Sequence, residues 1–394
     1  MKHLFVTVDF GPDRGGMARR HVELARRFSN EMEQMSVSTV ELEGDGEFDA
    51  GEPYRIDRQP FHFREAHAFR NQVKWAKWLV NHVSREKIDV LHCGNIRPVG
   101  YAVRWCAMRT GVPYLVYVNG GDLLRERMKI SSSVLKRVTA RQILGNASGV
   151  VATSRWVAEL SGEVMQECGL KIMPPVGAFD LGTDAETFNE SREARGLRSG
   201  WNVGDSPLML TVARLVPHKG QDIVIQALAK LRNEFPDLRY VMVGEGHDEP
   251  RLRAVARDLG VEHAVVFAGP LAEKDLPEAY ATSDLYVGLS RVDKGVNAEG
   301  FGISFLEASS SGLPVVAGDS GGVRSAVRDG ETGVVIDPVD VDAAVAAIAE
   351  FLRDPARRKK FGEAGRKAVE EHYNWDRVAR DTRSFTIDVT RPRQ

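Results

Sequence analysis

Cysteine is scarce in this chain of 394 residues, with three at positions 93, 106 and 168. Their wide spacing matches neither a metal-ligand pattern nor a disulfide framework, and points to a reducing compartment. Long apolar runs are also missing. None approaches the roughly 20 residues that cross a bilayer, so the expectation is a soluble, cytoplasmic protein. The opening Met1–Asp9 meets an acid too soon for a signal peptide and reads as a buried strand. Charge of one sign is lacking: the formal net charge of −2 gives no global pull towards nucleic acid. Short-period repeats and low-complexity segments are absent. The dinucleotide pattern G-x-G-x-x-G is incomplete, since Arg14-Gly15-Gly16 supplies only a glycine turn. That disfavours a nicotinamide-dependent enzyme.

What is present is globular: 43% hydrophobic and 27% charged residues, in a chain long enough for two domains. Short apolar runs alternate with amphipathic stretches, which predicts parallel sheets with helices on both faces. In the first half, strands are expected at Leu4–Val8, Val90–His92, Tyr114–Val118 and Gly149–Thr153. Helices fit at 17–29, 65–85, 98–109, 132–144 and 155–168. Pro174-Pro175 and a polar segment then mark a linker. The alternation restarts with strand Leu208–Val212 and continues to helices at 341–353 and 357–371, with Val334–Ile336 as an edge strand. The expected organisation is an N-terminal Rossmann-like domain over 1–180, a linker over 181–206, a C-terminal Rossmann-like domain over 207–371, and a terminal helix over 372–394. Ligands of such folds sit beyond the carboxyl ends of the strands, so two domains would face each other across a cleft.

The segment 299–307, Glu-Gly-Phe-Gly-Ile-Ser-Phe-Leu-Glu, is the most informative stretch. Gly300 and Gly302 precede an apolar helical run. The N–H groups of Phe301, Gly302 and Ile303 would face anionic oxygens at a positive helix end. Eight positions leave Glu299 and Glu307 about 80° apart on a helix, so Glu299 is assigned to the loop near a sugar and Glu307 to the helix near a ribose. Arg214 and Lys219, five residues apart in the loop after Leu208–Val212, could clamp a diphosphate; the same residues also fit a solvated basic turn. Gly244-Glu245-Gly246 reads as a strand-to-helix turn. Asp340-Val341-Asp342 sits at a helix start, where acids favour the dipole, so no metal is assigned there. His92 ends a strand on the cleft side and fits a structural or a functional role. Two basic stretches, 123–141 and 61–87 (with Trp75 and Trp78), fit either an anionic lipid surface or a solvated face over a Trp-packed core.

With these residues in view, the chain resembles the retaining glycosyltransferases of family 4, which have the GT-B fold of two doubly wound α/β domains. The likeness is carried by Arg214–Asp222, Val243–Gly246, Phe267–Leu271, Ala281–Leu289, Glu299–Glu307, Gly312–Gly322 and Gly330–Pro338, and by Asn374-Trp375-Asp376 in the final helix. The second domain is similar to bacterial phosphatidylinositol mannosyltransferases. The resemblance implies a nucleotide-sugar donor, GDP- or UDP-linked, an acceptor hydroxyl on a glycan, lipid or small molecule, and no metal or other cofactor. It implies that Arg214 and Lys219 hold the diphosphate and Glu307 the ribose. Glu299 with Gly300–Gly302 holds the transferred sugar, Gly269–Leu271 lines the base pocket, and Gly16, next to Gly15, approaches the phosphates. Peripheral contact with the inner face of the membrane is compatible with it. Many members carry a histidine where this chain has Asn119, and Asn119 is expected to contact donor sugar or acceptor. A nucleotide-sugar-binding protein without transfer activity and a GT-B epimerase fit the same residues.

Overall fold

The computed structural model describes all residues except 14, 30–33, 62–67, 191–195, 294, 296 and 392–394. The chain forms two compact units, Met1–Phe179 with Trp375–Gln394, and Asp180–Asn374. Each unit is a parallel sheet flanked by helices.

The sheet of the first unit contains β1 (Lys2–Val6), β2 (Gln34–Val40), β3 (Arg55–Gln59), β4 (Val90–Cys93), β5 (Tyr114–Val118), β6 (Gly149–Ala152) and β7 (Val176–Ala178). Their order is β3-β2-β1-β4-β5-β6-β7. The sheet of the second contains β8 (Leu208–Val212), β9 (Arg239–Val243), β10 (Val265–Gly269), β11 (Leu285–Gly288), β12 (Val315–Gly318) and β13 (Gly333–Ile336), in the order β10-β9-β8-β11-β12-β13. Both orders reverse direction beside their first strand, between β1 and β4 and between β8 and β11. Parallel sheets of this kind leave a crevice at that switch point. The central strands are Val/Leu/Ile-rich and buried on both faces, as parallel strands covered by helices must be.

Three strands of the first sheet escape a hydrophobicity reading: β2 alternates Ser and Thr with apolar residues, β3 is a polar edge strand, and β7 is three residues long. The helix expected over 132–144 is Val134–Gly145, which Ser133 caps by accepting from Lys136 N–H at 3.4 Å; the helix before it, Gly120–Ser132, escaped the sequence reading. The helix expected over 65–85 is described from Ala68 to Glu86; its first residues lie outside the described ones. The stretch 181–206 falls within the second unit. Its short helix Leu197–Gly200 is tied to helix Leu276–Ala281 by Leu197 N–H donating to Glu278 Oε1 at 3.0 Å. The terminal helix Trp375–Thr390 belongs to the first unit, where it packs on helix Gly16–Phe28 and Arg27 pairs with Asp376 at 2.6 Å.

The core of the first unit holds polar rings. Of the two roles open to His92, near the end of β4, the structural one fits: it is fully buried, with Nε2 3.0 Å from His3 Nδ1 and Nδ1 2.9 Å from Tyr117 Oη. His21 lies beside them, 2.8 Å from the Asp9 carbonyl oxygen, and the buried Arg20 guanidinium stands over the Tyr117 ring at 4.8 Å. Burial, aided by the Arg20 charge, pushes His21 down to about 3, and burial drives His92 well below the usual histidine value. An unfolded chain therefore binds more protons than the folded one between about 3 and the ordinary 6.5. Stability conferred by these neutral rings is intact above that window and is lost as pH falls into it. Urea midpoints should drop between about pH 7.5 and about pH 5, and less steeply in His21→Gln. An identical slope in parent and variant would refute the assignment.

Candidate functional site

In the second unit the two strands at the switch point, β8 and β11, deliver the charged residues. After β8 the chain passes through Ala213 and Arg214 into a short 3-10 turn, Pro217–Lys219, that ends on Gly220 in the left-handed region at φ +71°. A Cβ there would sit 1.9 Å from the Leu289 carbonyl oxygen, so only glycine lets this loop lie against the end of β11. The Gly244-Glu245-Gly246 turn after β9 does the same on the other side. Leu215 N–H donates to the Glu245 carbonyl at 2.9 Å, and side chains at 244 or 246 would meet the carbonyl oxygens of Ala213 or Leu215 at 2.1 Å. These glycines hold the Arg214 loop in place by close packing of backbone on backbone.

After β11 the chain runs to Gly302, which caps helix Ile303–Ser310 at φ +96°. Glu299 is in that loop and Glu307 in the helix. The carboxylate of Glu299 accepts from Lys219 Nζ at 2.5 Å and from Ser290 Oγ at 3.3 Å. Burial pushes this carboxyl up, but the adjacent, hydrogen-bonded ammonium of Lys219, with the Ser290 hydroxyl, outweighs it, and the group sits below the usual glutamate range. Glu299 Cγ lies 3.5 Å from where a Cβ on residue 302 would be, so the acid rests on the helix start. Gly322 N–H, from the loop after β12, donates to the Glu299 carbonyl at 2.8 Å. The helix start presents its positive end here, with Phe305 N–H turned back to the Gly302 carbonyl at 3.1 Å. Lys219, Glu299 and this helix end therefore converge, and Arg214 is exposed and forms no ion pair among the described residues.

Glu307 is buried and accepts from Tyr280 Oη at 2.6 Å. Tyr280 is wedged against Phe188 and Tyr286. Phe301 is turned into the interior, its ring 6.3 Å from that of Tyr373, so only its backbone is placed for a ligand. Gly269 ends β10 in the left-handed region at φ +69°, with open space where a side chain would be, and Leu271 follows in the next loop. Asp340 caps helix Val341–Arg353 through Ala343 N–H at 2.9 Å.

Two residues of this region were not singled out by sequence. His218, inside the 3-10 turn, is pushed down to about 4 by burial and the neighbouring Lys219, and stays neutral beside the ion pair. Asp222 accepts two bonds from Arg291 at 3.0 Å and one from Arg251 at 3.2 Å, which pins the loop after β11 to helix Gln221–Leu231. An acid in the first turn of that helix was the available signal.

Gly15, Gly16 and Asn119 belong to the other unit. Gly15 caps helix Gly16–Phe28 with extended backbone. Asn119 caps helix Gly120–Ser132: its Oδ1 accepts from Asp122 N–H at 2.9 Å, and its Nδ2 donates to Asp122 Oδ2 at 2.6 Å. Around the carboxyl ends of β1, β4 and β5 this forms a polar group that sequence reading missed. Asn95 Nδ2 donates to Asp9 Oδ2 at 3.2 Å. Burial, and then the Asp122 charge, raise the Asp9 carboxyl above the ordinary value. Carboxylates and amides at a strand-end crevice suit a hydroxyl-rich ligand. Trp75, in the basic stretch 61–87, is core: it is buried and donates from Nε1 to Ser38 Oγ at 2.9 Å.

Comparison with known proteins adds three findings. The sequence pattern described as "Glycosyl transferases group 1" matches residues 197–368, and that described as "Glycosyltransferase Family 4" matches residues 14–166. A GDP-mannose-dependent alpha-(1-6)-phosphatidylinositol monomannoside mannosyltransferase of Mycolicibacterium smegmatis is 31% identical over 380 residues, covering 94% of each chain. A D-inositol 3-phosphate glycosyltransferase of Acidothermus cellulolyticus is 33% identical, over 73% of this chain and 64% of its own length. Among solved structures, a glycosyltransferase from Rickettsia africae superposes with a TM-score of 0.79 at 18% identity, covering 100% of this chain and 99% of its own. The Anabaena protein HepE in complex with UDP and glucose does so at 0.78 and 19%, covering 98% and 99%.

Proposed function

Because the chain belongs to the glycosyltransferases of group 1 and family 4, we propose that it moves a mannosyl residue from GDP-mannose to a hydroxyl of an inositol-bearing glycolipid, with retention at the anomeric carbon. The observation that carries this reading is the pairing of Lys219 with Glu299 at the start of helix Ile303–Ser310. It sets a cation, a hydroxyl-accepting carboxylate and the positive end of a helix at one crevice. A sugar diphosphate needs all three.

In this reading Arg214 and Lys219 flank the diphosphate. They stabilise the negative charge that grows as the C1–O bond breaks and its electron pair leaves with the phosphate. No metal is required for that charge. The acceptor hydroxyl attacks C1 from the departing side, and its proton passes to a non-bridging oxygen of the leaving phosphate. Glu299 and the backbone at Gly300–Gly302 orient the sugar, Glu307 takes the ribose hydroxyls, and Gly269–Leu271 borders the base. The polar group of Asp9, Asn95 and Asp122 receives the acceptor.

A thermal-shift panel of GDP-mannose, UDP-glucose and UDP-galactose tests the donor. A ligand at one hundred times its Kd stabilises by about 2.7 kcal/mol, and GDP-mannose is expected to give the largest rise. Transfer assayed by NMR should yield an α-mannoside, at a rate unchanged by EDTA. Transfer from none of these donors, or an inverted product, would overturn the reading.

Asn119 has two jobs that can be separated. Asn119→Ala removes the cap and should cost about 1 kcal/mol of stability, whereas Asn119→Ser keeps a capping oxygen and should cost little. Both are expected to raise an acceptor or donor KM, or lower kcat, through loss of the amide. Wild-type kinetics in Asn119→Ser would show that the residue is a cap only.

A further inference from the structure

A cavity of about 300 Å³ opens in the first unit at the edge of the sheet where its strands begin. It is bordered by Lys2 at the start of β1, Gln34 and Ser36 at the start of β2, Arg55 at the start of β3, and His82 near the end of helix Ala68–Glu86. Strands of a parallel sheet all point one way. This amino-terminal edge is therefore opposite the crevice at the carboxyl ends, where ligands of such folds usually sit.

His82 is the unsatisfied group here. It is 2% exposed and borders the cavity, yet neither ring nitrogen has a hydrogen-bond partner among the described residues. Trp78 stacks on the ring, with centroids 4.5 Å apart and planes at 19°, and holds its orientation. Asp57 Oδ2, a buried atom likewise without a hydrogen-bond partner, stands 4.0 Å from Nδ1. That gap is too long for a direct bond, and one hydroxyl can bridge it. Burial holds the ring below the ordinary histidine value, so it is neutral and offers one donor and one acceptor. A buried ring with both nitrogens unmet is destabilising unless something beside it supplies the bonds. Met35, Pro53, Tyr54 and Ile88 make the wall largely apolar. Charge at the rim is answered locally. Arg55 pairs with Asp57 at 2.7 Å and with Glu86 at 3.8 Å, and Lys2 Nζ donates to the Glu86 carbonyl at 3.0 Å. Such a rim gives an ionic ligand little to bind. Hydroxyls that both donate and accept, carried on a ring with an apolar face, match these walls.

We propose that this cavity is a second small-molecule site of the first unit, taking a neutral polyhydroxylated ring the size of one monosaccharide or cyclitol, with His82 as its main polar contact. The volume of about 300 Å³ lies at the lower limit of small-molecule pockets, which suits one such ring and not a nucleotide. The site is separate from the polar group of Asp9, Asn95 and Asp122. Lys2 opens β1 at the cavity and Asp9 follows its far end, so β1 alone puts about 13 Å between them.

The test is an NMR titration of the full chain with isotope-labelled histidine, using D-mannose, myo-inositol and inorganic phosphate as probes. At least one of the two polyols is expected to shift the ring resonances of His82, which are assigned by their loss in His82→Phe. Phosphate is expected to leave them in place. By calorimetry, His82→Phe should raise the Kd of that polyol at least ~10-fold, whereas His82→Gln, with a donor and an acceptor of its own, should stay within ~3-fold. The melting temperature of His82→Phe should not fall, since an apolar ring replaces two unmet nitrogens. Asp9→Asn, in the crevice, should bind the polyol as the parent does. The proposal is overturned if neither polyol moves the His82 resonances, or if phosphate moves them and the polyols do not. It is also overturned if the phenylalanine and glutamine variants both bind like the parent. Loss of the shift in Asp9→Asn would overturn it as well, by placing the polyol in the crevice.

Discussion

Lys219→Ala should raise the Kd for GDP at least ~30-fold, since losing one partner of a buried charge pair costs about 2–5 kcal/mol. Two losses combine in that figure. The diphosphate forfeits an ammonium that the 3-10 turn and Gly220 hold in position. Glu299 forfeits the charge that keeps its carboxyl below the ordinary range, and burial then pushes it up. The two can be separated by calorimetry on a double-mutant cycle. Glu299→Gln relieves the stranded carboxylate, so Lys219→Ala with Glu299→Gln should recover part of the nucleotide affinity but no turnover. Arg214→Ala is the control that leaves the ion pair intact. Because Arg214 is exposed, its effect on GDP should be smaller than that of Lys219. A Kd within threefold of the parent for Lys219→Ala would remove the diphosphate from this loop.

Glu307→Ala is expected to weaken GDP binding by a similar factor, with a further loss of roughly 1–3 kcal/mol in folding stability because the Tyr280 hydroxyl loses a buried acceptor. Tyr280→Phe keeps the ring between Phe188 and Tyr286 and frees Glu307 from this bond, so it should perturb binding far less. The ribose assignment has its own test. A 2′,3′-dideoxy analogue of GDP lacks the hydroxyls that Glu307 would accept from, so parent and Glu307→Ala should bind it equally. If the variant still loses affinity for the dideoxy nucleotide, Glu307 acts through packing of the helix and not through the ribose.

Legibility of the fold followed hydrophobicity. The runs at β5 and β8, continuous and apolar, were readable to the residue, since a strand buried on both faces has little choice of composition. β2 and β3 were not. Ser and Thr are tolerated in β2 because the strand is held by two neighbours, and β3 needs only one buried side. Helix Gly120–Ser132 was likewise hidden, because it opens on two glycines and is separated from the expected helix Val134–Gly145 by the single capping residue Ser133. In the candidate site, Glu299, Glu307, Arg214 and Lys219 stood out by residue type and by the glycines around them. The reason for Gly244 and Gly246 did not, because it is a contact with a loop some thirty residues earlier in the chain.

The sequence by itself determined the class of protein: two alternating α/β domains, a glycine-framed acidic segment opening a helix, and a basic loop after the first strand of the second domain. These are local properties, set by periodicity and by the backbone freedom of a few residues. Tertiary structure alone decided which charges meet. Lys219 and Glu299 are eighty residues apart and join because β8 and β11 are neighbours at the switch point of the sheet. Tertiary structure also moved His92 into the core, made Asn119 a helix cap, and left Val134, Leu135 and Val138 on the surface. Pairing, burial and exposure depend on what packs against a residue, and a linear pattern carries no record of that.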